Sequence, residues 1–229
     1  MVILDEAHHE AMTSNQYHLE HLNVPLIGLT AEGSRPDGML IKFDYIIQPC
    51  TREQAVQEGW LAETDLYTFC EATAIDMIDQ FHDIMGGTIV FVRTKREAKL
   101  VHDHIKGMGH GYRSFLMTDV DHKTVDKALD DFSAGKYDFI VNCTKLGEGI
   151  DVKGCRSVVI GVKQGSNVRL NQIIGRASRP DCDCQVFETV SPLSRDNLDA
   201  TLIVGTPRTH KLVFLEQGAW VQEDFDMSV

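Results

Sequence analysis

The stretch Phe139-Ile140-Val141-Asn142-Cys143-Thr144-Lys145-Leu146-Gly147-Glu148-Gly149-Ile150-Asp151, with Gln172-Ile173-Ile174-Gly175-Arg176-Ala177-Ser178-Arg179-Pro180 after it, decides how this chain reads. A short apolar run ends in a polar, glycine-bearing loop that closes on an acid. Further along, a helix-type segment carries two arginines three residues apart. Side chains at that spacing share a helical face, and guanidinium groups present paired donors that match phosphate oxygens.

Working outward, the flanks alternate. Thr88–Val92 is a strand of fully buried type, and further strands are expected near Tyr112–Leu116, Tyr137–Asn142, Ser157–Val162 and Cys184–Thr189. Helices are expected over Lys95–Met108, His122–Ala134 and Val168–Arg176. Leu66, Phe69, Ala72, Ile75, Ile78, Phe81 and Met85 also recur at helical spacing, which predicts a helix over Leu66–Met85 stopped by Gly86-Gly87. Strands alternating with helices indicate an α/β fold with a parallel sheet. The tail, with Lys211–Leu215 and Ala219–Val221 around Gln217-Gly218, reads as a terminal β-hairpin, and Asp224–Val229 as a frayed end.

Toward the amino terminus, Met1-Val2-Ile3-Leu4 is a short β-type run leading into Asp5-Glu6-Ala7-His8, and Pro25–Ala31 is a second such run. Gln54-Ala55-Val56-Gln57-Glu58-Gly59-Trp60-Leu61 predicts a short helix capped by Gly59, with Trp60 packed in a core.

The totals narrow the class. A chain of 229 residues, 43% hydrophobic and 24% charged, can bury a sizeable globular core. No apolar run approaches the roughly 18 residues of a membrane span, and no basic-then-apolar leader is present, so a cytoplasmic or otherwise intracellular setting, a viral host's cytosol included, is expected. The formal net charge of -12 weighs against avid nucleic-acid binding by the whole surface but leaves room for a local basic groove. The six cysteines show no CxxC pair, and Cys182-Asp183-Cys184 lacks a second ligand pair, so reduced thiols are expected.

These segments together resemble the superfamily 2 DNA/RNA helicases, the DEAD- and DEAH-box-like enzymes, from motif II onward. Asp5-Glu6-Ala7-His8 resembles motif II in its DEAH form, and Leu26–Ala31 resembles motif III, with Glu32 and Gly33 departing from the usual pattern. Gln54–Leu61 resembles the inter-lobe segment, Arg93–Ala98 follows a strand as motif IV does, and the two opening stretches resemble motifs V and VI.

The resemblance implies a division into residues 1–48, a remnant of a first RecA-like lobe; 49–65, a linker; 66–205, a second RecA-like lobe; and 206–229, the hairpin and tail. It implies ATP and Mg2+ as cofactors. Asp5 would hold the magnesium and Glu6 would orient the attacking water, with His8 and Thr30 coupling hydrolysis to lobe movement. Gly149, Asp151 and Gln172 would lie near the nucleotide, and Arg176 and Arg179 would face its γ-phosphate, one of them as an arginine finger. Arg93, Thr94 and Thr144 would contact the nucleic-acid backbone.

No GxxxxGK[ST] phosphate loop occurs in the sequence. The expectation is therefore the C-terminal part of an ATP-dependent helicase or translocase, acting on single- or double-stranded nucleic acid with DNA favoured. It would need a P-loop-bearing first lobe from a split gene or an upstream segment, and would hydrolyse ATP poorly by itself. The alternative is a non-hydrolytic module that binds nucleic acid or protein.

Overall fold

The structure is a computed structural model that describes residues 1–5, 7, 21, 24–30, 43–143, 152–162, 167–180, 182–191 and 200–225. Its central strands are β4 (Thr88–Phe91), β6 (Phe139–Asn142) and β7 (Ser157–Ile160), each buried along its whole length. Successive strand residues point to opposite faces, so an unbroken apolar run needs cover on both sides. Both sides are covered. On one face Ile89, Ile140, Val158 and Val186 pack with Val125, Leu129, Phe132, Leu170 and Ile174; on the other Val90, Val141, Val159 and Phe187 pack with Met77, Ile78, Phe81, Val101 and Ile105.

The sheet has eight strands in the order β10-β9-β3-β8-β7-β4-β6-β5. Besides the three above, these are β3 (Thr64–Cys70), β5 (Ser114–Met117), β8 (Cys184–Val190), β9 (Thr209–Glu216) and β10 (Ala219–Asp224). All neighbours run parallel except β9 and β10. The helices are α1 (Arg52–Gln57), α2 (Ala74–Phe81), α3 (Lys95–Gly107), α4 (His122–Ser133), α5 (Asn167–Gly175) and α6 (Thr201–Val204). This is the RecA-like parallel sheet expected from the sequence. Of its helices, α1 and α2 carry reciprocal caps: Thr51 with Gln54, and Thr73 with Asp76.

One element differs in type. Leu66–Cys70, expected as the start of a helix, belongs to strand β3, and only Ala74–Phe81 of the expected Leu66–Met85 helix is helical. Leu66 and Phe69 are three apart, which mimics a helical stripe, but in the strand they enter opposite core layers. Thr, Leu, Tyr and Phe suit a pleated surface covered on both faces, and pairing with β8 and β9 outweighs the periodicity. Glu71 makes the turn between the two elements in the left-handed region, at φ 55°.

Trp60 is 58% exposed, where a core position was expected. Gly59, at φ 74°, lets the Trp60 N–H reach back to the Ala55 carbonyl at 2.8 Å. This closes the helix end in a Schellman arrangement and leaves the ring outside, while Ala55 and Ala62 take the buried positions.

The tail forms the expected hairpin, but it extends the main sheet, because β9 pairs in parallel with β3. Gln217 and Gly218 both have positive φ, 51° and 85°, the mirror-image turn whose twist suits a hairpin. Asp224 belongs to β10, in register with Lys211, instead of fraying; residues 226–229 lie outside the described set. Asp65 on β3 anchors the start of β9. Its Oδ1 accepts from Thr209 Oγ1 at 2.7 Å and Arg208 Nε at 2.9 Å, and its Oδ2 from Arg208 Nη2.

At the amino end, β1 (Val2–Leu4) and β2 (Leu26–Gly28) form a separate two-stranded parallel sheet. A Cβ on Gly28 would lie 2.6 Å from the Phe43 ring and 2.8 Å from Ala7 Cβ, so a side chain there would displace one of them.

Candidate functional site

In a parallel sheet all loops that follow strands gather at one edge and all loops that precede them at the other. The candidate residues divide between these two edges.

At the amino edge, α5 returns from β7 and ends beside the start of β8. Arg176, Ala177 and Ser178 tighten that end by donating to the Ile173 and Ile174 carbonyls. Arg52 Nη2 donates to Ser178 Oγ at 2.8 Å, and that hydroxyl donates to the Ile174 carbonyl at 3.0 Å. Burial lowers the pKa of Arg52 and of Arg176, the latter only 7% exposed. An arginine keeps its charge at neutral pH regardless, so these are cations held where charge is poorly screened, which strengthens their attraction for phosphate. Arg179 is half-buried, three residues beyond Arg176, and its carbonyl accepts from Cys182 Sγ at 3.3 Å. Gln172 is half-buried one helical turn before Arg176. Burial also pushes the Cys155 and Cys184 thiols up, which keeps them protonated.

At the carboxyl edge, Arg93 follows β4 and opens α3. The Arg93 side chain is exposed and forms no ion pair among the described residues. Thr94 is the N-cap: its hydroxyl accepts from the Glu97 N–H at 3.1 Å, and Glu97 Oε2 in turn accepts from the Arg93 N–H, also at 3.1 Å. Arg93, Lys95 and Arg96 thus stand at a helix N-terminus, whose dipole also favours anions. A cavity of about 360 Å³ opens beside them, lined by Glu71, Ala72, Arg93, Glu97, Gly161 and Thr189. In α/β sheets, ligands bind at this carboxyl edge.

The small sheet carries Asp5 at the end of β1 and Thr30 just beyond β2. The backbone joins the two: Leu29 N–H donates to the Leu4 carbonyl at 2.8 Å, and Ala7 N–H to the Leu29 carbonyl at 3.0 Å. Among the described residues no three histidines, cysteines or carboxylates cluster as metal ligands. Magnesium needs fewer protein ligands than that, since it is commonly held by one or two carboxylates plus the substrate phosphates, and Asp5 at the end of β1 is the carboxylate that could serve. Glu6, His8, Thr144, Gly149 and Asp151 lie outside the described residues.

The structure therefore brings Gln172, Arg176 and Arg179 together on one edge of the sheet, and places Arg93 and Thr94 on the other. Two residues had not been singled out. Arg52 lies inside a Thr51-x-x-Gln54 capping signature visible in the sequence. Glu71 falls where the helical reading of its flanks hid the turn.

Residues 73–181 match the model of the helicase conserved C-terminal domain. The matched span covers just under half of the chain. The ATP-dependent RNA helicase DBP5 of Saccharomyces cerevisiae is 32% identical over 98 residues, 41% of this chain and 20% of that protein. The putative mitochondrial ATP-dependent helicase irc3 of Schizosaccharomyces pombe is 24% identical over 244 residues, 88% of this chain and 40% of that protein. The chain thus spans a fifth to two fifths of these curated relatives. Among solved structures, S. cerevisiae Dbp5 bound to RNA and ADP BeF3 superposes with a TM-score of 0.54 at 18% identity, covering 89% of this chain and 55% of that one. Mycobacterium smegmatis helicase Lhr, bound to ssDNA and AMP-PNP, gives 0.55 at 19% identity, covering 82% and 28%. These likenesses are of fold. Arg176 and Arg179, just beyond the end of α5, lie within the matched span.

Proposed function

We propose that this chain is the second lobe, with part of the first, of an ATP-dependent helicase or translocase that acts on single-stranded nucleic acid. The observation that carries the reading is the pair Arg176 and Arg179 just beyond the end of α5, beside the half-buried cation Arg52, with both arginines inside a stretch that matches the helicase C-terminal domain. Residues 1–48 serve as first-lobe remnant, 49–65 as linker, 66–205 as second lobe and 206–229 as hairpin and tail.

ATP bound between two such lobes supplies the phosphoryl group, and Mg2+ held by Asp5 would offset its charge. Arg176 and Arg179 neutralise the charge that builds on the transferring γ-phosphoryl, with Glu6 orienting the attacking water and Gln172, Gly149 and Asp151 holding the nucleotide. His8 and Thr30 link that site to lobe movement. Arg93, Thr94 and Thr144 take the nucleic-acid backbone. The sequence favoured DNA as the track; the matched relatives at 30% identity and above are named as RNA helicases, and this supports RNA. The departure of Glu32 and Gly33 from the usual motif III pattern favours the second reading, a non-hydrolytic binding module.

The experiment supplies a P-loop-bearing first lobe and follows phosphate release with and without single-stranded RNA. The complete motor hydrolyses ATP in an RNA-stimulated manner, and Arg179→Ala lowers kcat by a factor on the order of 10³. Unchanged kcat in Arg179→Ala removes the arginine-finger role. RNA binding without hydrolysis under any pairing selects the binding module.

A further inference from the structure

The cavity at the carboxyl edge combines groups that a simple phosphate grip does not need. Arg93 and the start of α3 suit a phosphate, yet two carboxylates, Glu71 and Glu97, line the same space. Glu97 is committed to the helix start, since its Oε2 accepts from the Arg93 N–H and its own N–H donates to Thr94. Glu71 is not committed in this way.

Glu71 is held firmly in an uncommon conformation. Its φ of 55° is in the left-handed region, which is strained for a non-glycine residue and tends to persist where function fixes it. Its N–H donates to the Val190 carbonyl at 2.9 Å, and its Oε1 accepts from Ser191 Oγ at 3.0 Å. Both contacts come from the end of the neighbouring strand β8. Oε2 accepts no hydrogen bond among the described residues. The result is a pre-oriented acceptor on the wall of a cavity of about 360 Å³, with Gly161 and Thr189 on the same lining.

A bare phosphate inside this lining would meet two like charges, so it stays outside on Arg93 and the helix N-terminus. What fits inside, next to a phosphate, is a neutral group that donates a hydrogen bond. In a nucleic-acid strand the nearest donor to a backbone phosphate is the ribose 2′-hydroxyl, the group that distinguishes RNA from DNA. We propose that this cavity is a ribose-reading subsite, in which Glu71 accepts a hydrogen bond from the 2′-hydroxyl of a strand whose phosphate lies on Arg93. The inference rests on the nucleic-acid reading above and adds the residue that chooses between the two sugars. A deoxyribose presents only a methylene here and leaves Glu71, an exposed carboxylate, to water, so the discrimination has the size of one hydrogen bond.

The test measures fluorescence anisotropy of labelled single-stranded RNA, DNA and 2′-O-methyl RNA of one sequence with the full chain at low salt, without ATP. The wild type is expected to bind RNA roughly tenfold more tightly than DNA or 2′-O-methyl RNA, the size of one hydrogen bond to a charged group. Glu71→Ala brings RNA down to the DNA level and leaves DNA binding unchanged or tighter. Glu71→Gly does the same while relieving the backbone, which guards against a folding artefact. Arg93→Ala weakens all three probes alike. An RNA-to-DNA ratio that survives both Glu71 variants overturns the subsite and leaves nucleic-acid binding standing. If the wild type binds none of the probes, the nucleic-acid reading falls, and the subsite with it.

Discussion

A Cβ built on Gly87 would lie 2.3 Å from the Gly154 carbonyl oxygen and 3.1 Å from the Phe132 ring. The obstruction on one side is backbone, which cannot swing away as a flexible side chain would. Gly87 also ties two strands at their start, because its carbonyl accepts from Arg156 N–H at 2.8 Å and from Ser157 N–H at 3.3 Å. Gly87→Ala must therefore push β4 and β7 apart or displace the turn at Gly154. It is expected to destabilise the fold by about 1–3 kcal/mol, the usual cost of overfilling a packed site. Urea denaturation measures this, and a change within about 0.5 kcal/mol, typical of an open surface position, shows that the approach is loose. The neighbouring Gly86, whose added Cβ would meet mainly the flexible Arg156 side chain, is the control that should cost less.

Among the elements, the β9–β10 hairpin is anchored at its root by Asp65, the more buried of the two carboxylates (the other is Asp183) that hydrogen-bond Arg208. Burial pushes the Asp65 carboxyl up, but hydrogen bonds from Arg208 and Thr209 and the Arg208 charge outweigh it and hold the carboxyl below the ordinary range. A carboxyl whose folded pKa is depressed adds stability above its ordinary pKa and loses it as pH falls through the folded value. Asp65→Asn should therefore cost about 1–2 kcal/mol at neutral pH, after allowing for solvent screening of Arg208, and that difference should shrink below about pH 4. Thermal melts of both proteins across pH 3–7 check it; a constant gap across the range would show that the charge is not what holds the hairpin. The same region shows where the sequence was legible. The Gln217-Gly218 turn and the alternating strands could be read from local chemistry, because a positive-φ pair and a run of Val, Ile and Phe have few other uses. Thr64–Cys70 could not, because Leu66 and Phe69 satisfy a helical stripe and a doubly covered strand equally, and only pairing with β8 and β9 decides. Glu71 was hidden by that ambiguity. Arg176 and Arg179 could be singled out as a closely spaced pair of guanidinium groups, but α5 stops at Gly175, so the shared helical face read from their spacing does not form.

For the whole molecule, two long-range effects oppose each other when a nucleic-acid strand approaches. The net charge of -12 repels it, whereas the proposed contacts at Arg93 and the start of α3 would release counterions from it. Added salt weakens both. Repulsion from acids spread over the surface acts beyond the roughly 10 Å screening length at 0.1 M, so modest salt removes most of it. The contact term persists, and each neutralised phosphate of a single strand adds about -0.7 to the slope of log affinity against log salt. The contact term should therefore win above about 0.1 M, with a slope of only about -1 to -3, because the basic surface is local. Arg93→Ala should make the slope shallower by about 0.7, one phosphate contact, while a substitution at Arg113, paired with Asp138, should not alter it. Anisotropy titrations at four or five salt concentrations measure both slopes. A steep slope indifferent to Arg93 would place the strand on some other face, whereas a slope that loses one phosphate with Arg93 locates the track at the carboxyl edge of the sheet, beside the cavity that Glu71 lines.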